Sequence, residues 1–153
     1  MVIAALLLVR AAVPSVPSYY IGNLVWHDLN RNGQQDAGEP GLNGVMVKAY
    51  RTADHALLGS QVTQNNGNSD GAYVFSINGV ASVYLVFDLP NGFTFTSQHQ
   101  GTDDSLDSDV DPFTGRTDPI RADPAKPPGQ AQNQWDAGLL NKLYERASAE
   151  SSR

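Results

Sequence analysis

The sequence predicts an all-β protein, an antiparallel Greek-key β-sandwich of seven to eight strands, and three observations carry that prediction. Fourteen glycines and nine prolines among 153 residues punctuate the chain too often for a helical bundle. Apolar residues alternate at period two or fall in short runs, with almost no helical period. Turn clusters such as Asn65-Asn66-Gly67-Asn68-Ser69-Asp70-Gly71 and Pro90-Asn91-Gly92 separate those runs at the spacing of a sandwich.

The elements follow in order. Residues 1–9 are wholly apolar and stop at Arg10, with Pro14 and Pro17 close behind. That is short of the roughly 20 residues a membrane-spanning helix needs. No basic residue precedes the run, as a secretory leader would require. It reads as an extended apolar strand, followed by a stiff Pro/Ser linker to residue 18, and it must pack against its own core or a neighbour. A strand-rich domain spans 19–140. Ile21 to His27 opens it, and Val45 to Tyr50 alternates, with Val45, Val47 and Ala49 inward and Met46, Lys48 and Tyr50 outward. Runs at 57–63, 72–77, 82–89 and 93–97 follow, and Trp135 to Leu139 closes the set. Residues 141–153 form a polar tail, for which a short amphipathic helix and a frayed end both stand open.

Sixteen acidic against ten basic residues give a net charge of -6. A nucleic-acid partner, which needs a basic face to neutralise phosphates, is excluded on that balance. The absence of cysteine removes disulfides, thiolate zinc sites and cysteine nucleophiles together. No nucleophile elbow, phosphate loop or zinc-protease helix appears, so the chain does not read as an enzyme. His27, His55 and His99 are scattered and read as surface or strand-end residues. Trp26 and Trp135 read as core or edge residues.

The segment 28–39 matches a twelve-residue calcium loop of the EF-hand type. Asp28, Asn30 and Asn32 put side-chain oxygens at the first, third and fifth positions. Gly33 permits the sharp turn, Gln34 offers its carbonyl, Asp36 binds directly or through water, and Glu39 closes with two oxygens. A hard cation that takes six to eight oxygens is served by this spacing. A strand precedes the loop and Pro40-Gly41 follows it, so it is set into a β fold and opens no helical groove.

These residues resemble a known family. The string from Ile21 to Asp28 and on to Glu39, then Pro40-Gly41-Leu42-Asn43-Gly44-Val45-Met46-Val47, is similar to the calcium-binding B-type (SdrD B-like) modules of serine-aspartate repeat surface adhesins. So are Ser69-Asp70-Gly71-Ala72-Tyr73-Val74-Phe75, Tyr84-Leu85-Val86-Phe87 with Pro90-Asn91-Gly92-Phe93, the acidic segment from Gly101 to Thr117, and Asp136-Ala137-Gly138-Leu139. The resemblance covers 21–139 in order. It implies a sandwich of the collagen-adhesin B type, exported to the cell surface or beyond, stiffened by calcium and used in tandem stalks.

Seven aspartates lie between 103 and 123 against Arg116 and Arg121 alone. The resemblance makes Asp103, Asp104, Asp107 and Asp109 candidates for a second calcium site, with Asp111 or a carbonyl as a further ligand. A solvated acidic loop is the other reading of that run. Related modules can carry a Lys–Asn cross-link, but Lys48 is the lone lysine within a strand and its alternation points it outward.

The function expected is a calcium-stabilised subunit of an extracellular fibre. The N-terminal run (Val2, Ile3, Leu6, Leu7, Leu8 and Val9) would add as a strand to the next copy, head to tail, because a chain holding one module has no second module to join. Burial of those six side chains offers roughly 10 kcal/mol before ordering costs. The rival expectation is a single surface adhesin or stalk module that grips a surface or matrix ligand through its own face.

Overall fold

The structure is a computed structural model and describes residues 18–123 and 129–143. The apolar run with Val2, Ile3, Leu6, Leu7, Leu8 and Val9, its Pro/Ser linker and most of the polar tail lie outside the described residues. Among the described residues, eleven strands build two packed sheets: β1 (Ser18–His27), β2 (Met46–Arg51), β3 (Leu57–Val62), β4 (Ala72–Asn78), β5 (Ser82–Phe87), β6 (Phe93–Phe95), β7 (Val110–Asp111), β8 (Arg116–Thr117), β9 (Ile120–Arg121), β10 (Ala131–Asn133) and β11 (Ala137–Asn141). The seven strands expected from alternation are present. Four short ones, β7 to β10, are added within the Asp- and Pro-rich stretch.

One sheet runs β10-β1-β11-β6, with β4 on the other edge of β1. It is mixed rather than purely antiparallel. β4 pairs antiparallel with β1 from Ser18↔Asn78 to Leu24↔Ala72, while β10 and β11 share the opposite edge of β1 in parallel, at Tyr20–Gly22 and Val25–His27. Between β10 and β11 the ladder breaks, and the Asp136 carboxylate takes its place. Its Oδ1 accepts the Leu24 N–H at 2.9 Å and its Oδ2 accepts Asn23 Nδ2 at 2.9 Å. A buried N–H left without a partner would cost about 1–3 kcal/mol, which is what this carboxylate prevents. The second sheet runs β3-β2-β5-β8-β7, with β9 pairing the start of β5.

The core lies between the sheets. Val45, Val47 and Ala49 point into it as the alternation requires, beside Ile21, Val25, Leu85, Ile120 and Leu139. Each of the larger aliphatics contributes about 1.5–3 kcal/mol by leaving water. Lys48 points outward, where its Nζ lies 2.6 Å from Asp88 Oδ2. Trp26 is fully buried and packs against Gly138, where an added Cβ would come within 2.8 Å of its ring. Gly41 has no room for a side chain either, since its Cβ would sit 1.9 Å from the Asp70 carbonyl oxygen. The turn at 65–71 is drawn in by Asp70, whose Oδ1 accepts Asn43 Nδ2 and Asn65 Nδ2 at 2.8 Å each.

The chain enters and leaves this sandwich at opposite poles. Ser18 starts β1 beside Asn78 at one end. β11 runs parallel to β1 and ends at Asn141 beside Phe93 at the other.

Candidate metal centre

The 28–39 loop leaves the end of β1 and folds back antiparallel to it, with Leu42 N–H donating to the Val25 carbonyl at 2.7 Å. Asp28 organises the turn from a nearly buried position, 2% exposed. Its Oδ1 accepts the Arg31 N–H at 2.6 Å, and its Oδ2 accepts the Gly33 N–H at 2.9 Å and the Thr96 hydroxyl at 2.7 Å. Gly33 holds φ at +77°, and a Cβ there would meet Gln100 Cγ at 2.5 Å, so the sixth position takes only glycine. Asn30 and Asn32 each donate a side-chain amide to Asp36 Oδ2 at 2.7 Å. Glu39 reaches back across the loop, accepting Leu29 N–H on Oε1 at 2.8 Å and Asp36 N–H on Oε2 at 3.1 Å. The loop therefore gathers Asn30, Asn32 and Glu39 about Asp36, the two asparagines presenting amide nitrogen to its carboxylate, while Asp28 turns instead to the Arg31 and Gly33 N–H groups and the Thr96 hydroxyl. Gln34 bridges to Asp107 across to the acidic segment.

That bridge joins the two candidate regions. Gln35 N–H donates to the Leu106 carbonyl at 2.6 Å and Ser108 N–H to the Gly33 carbonyl at 3.2 Å. Beyond it, His99, Asp104, Asp107 and Asp109 each bring one ligand atom to within 4.8 Å of the others, the group of this kind among the described residues. Asp107 and Asp109 are 5% and 2% exposed, and Asp136 beside them is fully buried. Asp107 Oδ1 is buried without a hydrogen-bond partner. The His99 ring stands 3.9 Å from it, beyond hydrogen-bond reach. Asp109 Oδ2 accepts the Asp136 N–H at 2.6 Å. Tyr73 closes the floor, donating its hydroxyl to the Trp135 carbonyl.

Crowding of buried carboxylates sets the electrostatics. Burial, with the charges of Asp136, Asp107 and Asp104 behind it, lifts the Asp109 carboxyl from 3.8 to about 8, against the pull of the Asp136 N–H. Burial lifts Asp136 to about 7 despite the donors on Leu24 and Asn23. Asp107 is raised by burial first, then by Asp104 and Asp103, with His99 opposing. The Tyr73 phenol is pushed well above its ordinary 10.0 by burial and by Asp136 and Asp109. A cation among these groups would reverse each penalty.

Of the residues the sequence singled out, Asp104, Asp107 and Asp109 are gathered here and Asp103 stands aside. Its Oδ1 accepts the Ser105 N–H at 3.1 Å and the Ser105 hydroxyl at 2.6 Å. Asp111 is committed to its own turn, accepting Phe113 and Thr114 N–H groups at 2.9 and 2.8 Å. Sequence reasoning missed two members. His99 reads as an isolated surface histidine, and only the pairing of the 97–100 loop with Ser108 brings it in. Asp136 reads as part of the closing strand, and only the broken ladder beside β1 turns its carboxylate inward.

Comparison with known proteins bears on the family of the chain. The chain is 36% identical over 81 residues to Colossin-B from Dictyostelium discoideum, covering 53% of this chain and 2% of that protein. It is 35% identical over 99 residues to serine-aspartate repeat-containing protein D of Staphylococcus aureus (strain Newman), covering 65% of this chain and 7% of that one. Serine-aspartate repeat-containing protein C of strain N315 is 37% identical over 99 residues, 63% of this chain and 10% of the relative. The chain thus spans a tenth or less of these relatives' lengths. Among solved structures, the shaft pilin SpaA from Lactobacillus rhamnosus GG overlaps 82% of this chain and 51% of its own at 10% identity and a TM-score of 0.40, a likeness too slight to fix fold or function. The sequence model of the SdrD B-like domain matches residues 19–139, and the chain belongs to that family.

Proposed function

We propose that the chain is a calcium-stabilised structural subunit of an extracellular surface fibre. The SdrD B-like domain is a surface-protein module, and the chain belongs at the cell surface or outside the cell. The observation that carries the calcium reading is the buried acid around Asp107, whose Oδ1 lacks a hydrogen-bond partner while Asp109 and Asp136 crowd beside it. A divalent cation supplies the charge that lets these carboxylates ionise in place. In the first loop Asp28, Asn30, Asn32, the Gln34 carbonyl, Asp36 and Glu39 would hold the ion. In the second, Asp104, Asp107 and Asp109 would do so with His99 beside them, while Asp103 is committed to Ser105. The donors are oxygen but for one imidazole, which suits a hard cation better than zinc.

Calcium here acts on stiffness. It would fix the loop after β1 and the segment before β7, which backbone hydrogen bonds already join, so that the flank of the sandwich resists opening, and the role is mechanical rather than catalytic. A calorimetric calcium titration of the chelator-treated chain tests this. Two classes of site are expected, Glu39→Ala removing one and Asp107→Asn the other, and a chain that takes up no calcium would end the reading.

Assembly is proposed to run head to tail, with the apolar run from Val2 to Val9 adding as a strand to the next copy. Its support is the apolar character of that run and the opposite poles at which β1 begins and β11 ends. A second reading, a surface adhesin module that grips its own ligand, is favoured by a hollow of about 410 Å³ on the outer face of β10, β1 and β4. Tyr20 is 41% and Val74 49% exposed there, among the amides of Asn23, Gln61 and Asn133. Ligand capture that survives removal of residues 1–18 would favour that reading over assembly.

A further inference from the structure

Two features at opposite poles take no part in the metal centre. At the C-terminal pole the turn between β7 and β8 carries Phe113, 96% exposed. The turn is built to hold it there. Asp111 Oδ1 accepts the N–H groups of Phe113 and Thr114 and the Thr114 hydroxyl, at 2.9, 2.8 and 3.1 Å, and Gly115 N–H donates to the Asp111 carbonyl at 2.9 Å. Exposed Leu89 and Leu143 stand on neighbouring segments of the same pole. Phe87 N–H donating to the Gly115 carbonyl and Lys142 N–H to the Gly92 carbonyl, both at 2.8 Å, tie these segments together.

At the N-terminal pole the β2–β3 and β4–β5 turns and β9 frame a hollow of about 460 Å³. Val80, Ala53 and Ala81 give it an aliphatic lining, and Arg121 and Arg51, the latter with Nη1 donating to Asp54 Oδ2 at 3.0 Å, belong to it as well. It lies at the pole where the chain enters, because Ser18 pairs with Asn78 immediately before the β4–β5 turn.

The two features match in chemistry. A ring on a preorganised turn loses little freedom on docking, which is what makes an aromatic side chain an anchor, and it buries about 150–250 Å². An aliphatic floor between two guanidinium groups receives the edge and face of such a ring. Their placement decides the occupant. Anchor and hollow sit at opposite poles of one molecule, so a second copy supplies the missing half at each end, and the contact is heterologous and does not close. We infer that Phe113 of one copy seats in the hollow between Arg51, Val80 and Arg121 of the next. This rests on the end-to-end reading of the module but requires nothing of residues 1–17. One ring falls well short of the roughly 800 Å² per partner of a standard interface, so the contact between free chains is transient and calls for trapping.

The chain has no cysteine, which makes trapping clean. Full-length Thr114→Cys and full-length Ala81→Cys, one carrying a mass tag, are mixed and oxidised in millimolar calcium, and the three disulfide dimers are resolved on a non-reducing gel. The mixed dimer is expected above its statistical share. Adding Phe113→Ser to the Thr114→Cys chain returns it to that share while circular dichroism stays unchanged. Ala53→Cys serves the same purpose if Ala81→Cys does not fold. Dimers in statistical proportion, or a majority linked 114 to 114, overturn the inference. Filaments of the full chain in electron micrographs taken alongside, without any excess of mixed dimer, defeat this contact and leave the fibre reading standing.

Discussion

Replacing Asp109 by asparagine separates a calcium-holding cluster from a merely acidic loop, because the two accounts differ in sign. In the metal-free chain the Asp109 carboxyl is lifted from 3.8 to about 8, mainly by burial. At pH 7 the folded chain must therefore keep a proton that the unfolded chain has released. At about 1.4 kcal/mol per pH step, that costs on the order of 4 kcal/mol. The side chain is 2% exposed, so solvent screening takes little from this figure. Asparagine has no proton to hold, and its Oδ1 can still accept the Asp136 N–H that now lies 2.6 Å from Asp109 Oδ2. Metal-free Asp109→Asn should then be more stable than the parent by roughly 2–4 kcal/mol. For a domain of this size that is a melting temperature roughly 5–15 °C higher in chelator. In millimolar calcium the order inverts, since the variant has given up a charged ligand. Calorimetric or dichroism melts of both proteins in both buffers decide the matter. A shift of the same sign with and without calcium refutes the reasoning.

Three further outcomes follow from the same geometry. Because Asp109 and Asp136 sit at about 8 and about 7 when folded and near 3.8 when unfolded, the folded metal-free chain binds protons that the unfolded chain has lost. Their contribution to metal-free stability is fully present below about pH 4 and is lost as the pH rises to about 8, and calcium flattens that slope; pH-dependent melts in chelator and in calcium read it. Chelation of the wild type should lower the melting temperature by more than Glu39→Ala does in calcium, since the variant empties one site and chelator both. Ligand binding to the native state alone gives about 2.7 kcal/mol at a hundredfold excess over Kd. Gly41→Ala should cost several kcal/mol in urea denaturation, because its Cβ would fall 1.9 Å from the Asp70 carbonyl oxygen, where backbone must move.

The long strands were legible because their alternation is strong enough to survive any tertiary context. Val45, Val47 and Ala49 are buried while Lys48 between them reaches Asp88. The turn from Asp28 to Glu39 was legible for a similar reason, since polar side chains that clasp one another at fixed short offsets are written within twelve consecutive residues. β7, β8 and β9 were not, because two residues carry no period, and their pairing with β5 and with each other is set by the Asp111 clasp and the Gly115 turn. Nor was the parallel pairing of β10 and β11 along β1, a long-range choice that no local pattern encodes. Asp136 lay hidden for that reason. Its role appears only when two strands from the end of the chain meet one edge of the first and leave Leu24 N–H needing an acceptor. His99 enters through the left-handed kink of its own backbone, φ 52°, a conformation that histidine adopts only occasionally and that the local sequence does not fix.

Negative-stain electron microscopy of the full chain beside a 19–153 truncation, each in millimolar calcium and in chelator, tests the central claim most directly. The account predicts filaments from the full chain in calcium and separate particles from the folded truncation. Separate particles from both, with the domain folded and calcium bound, would contradict the fibre subunit and leave a single surface module.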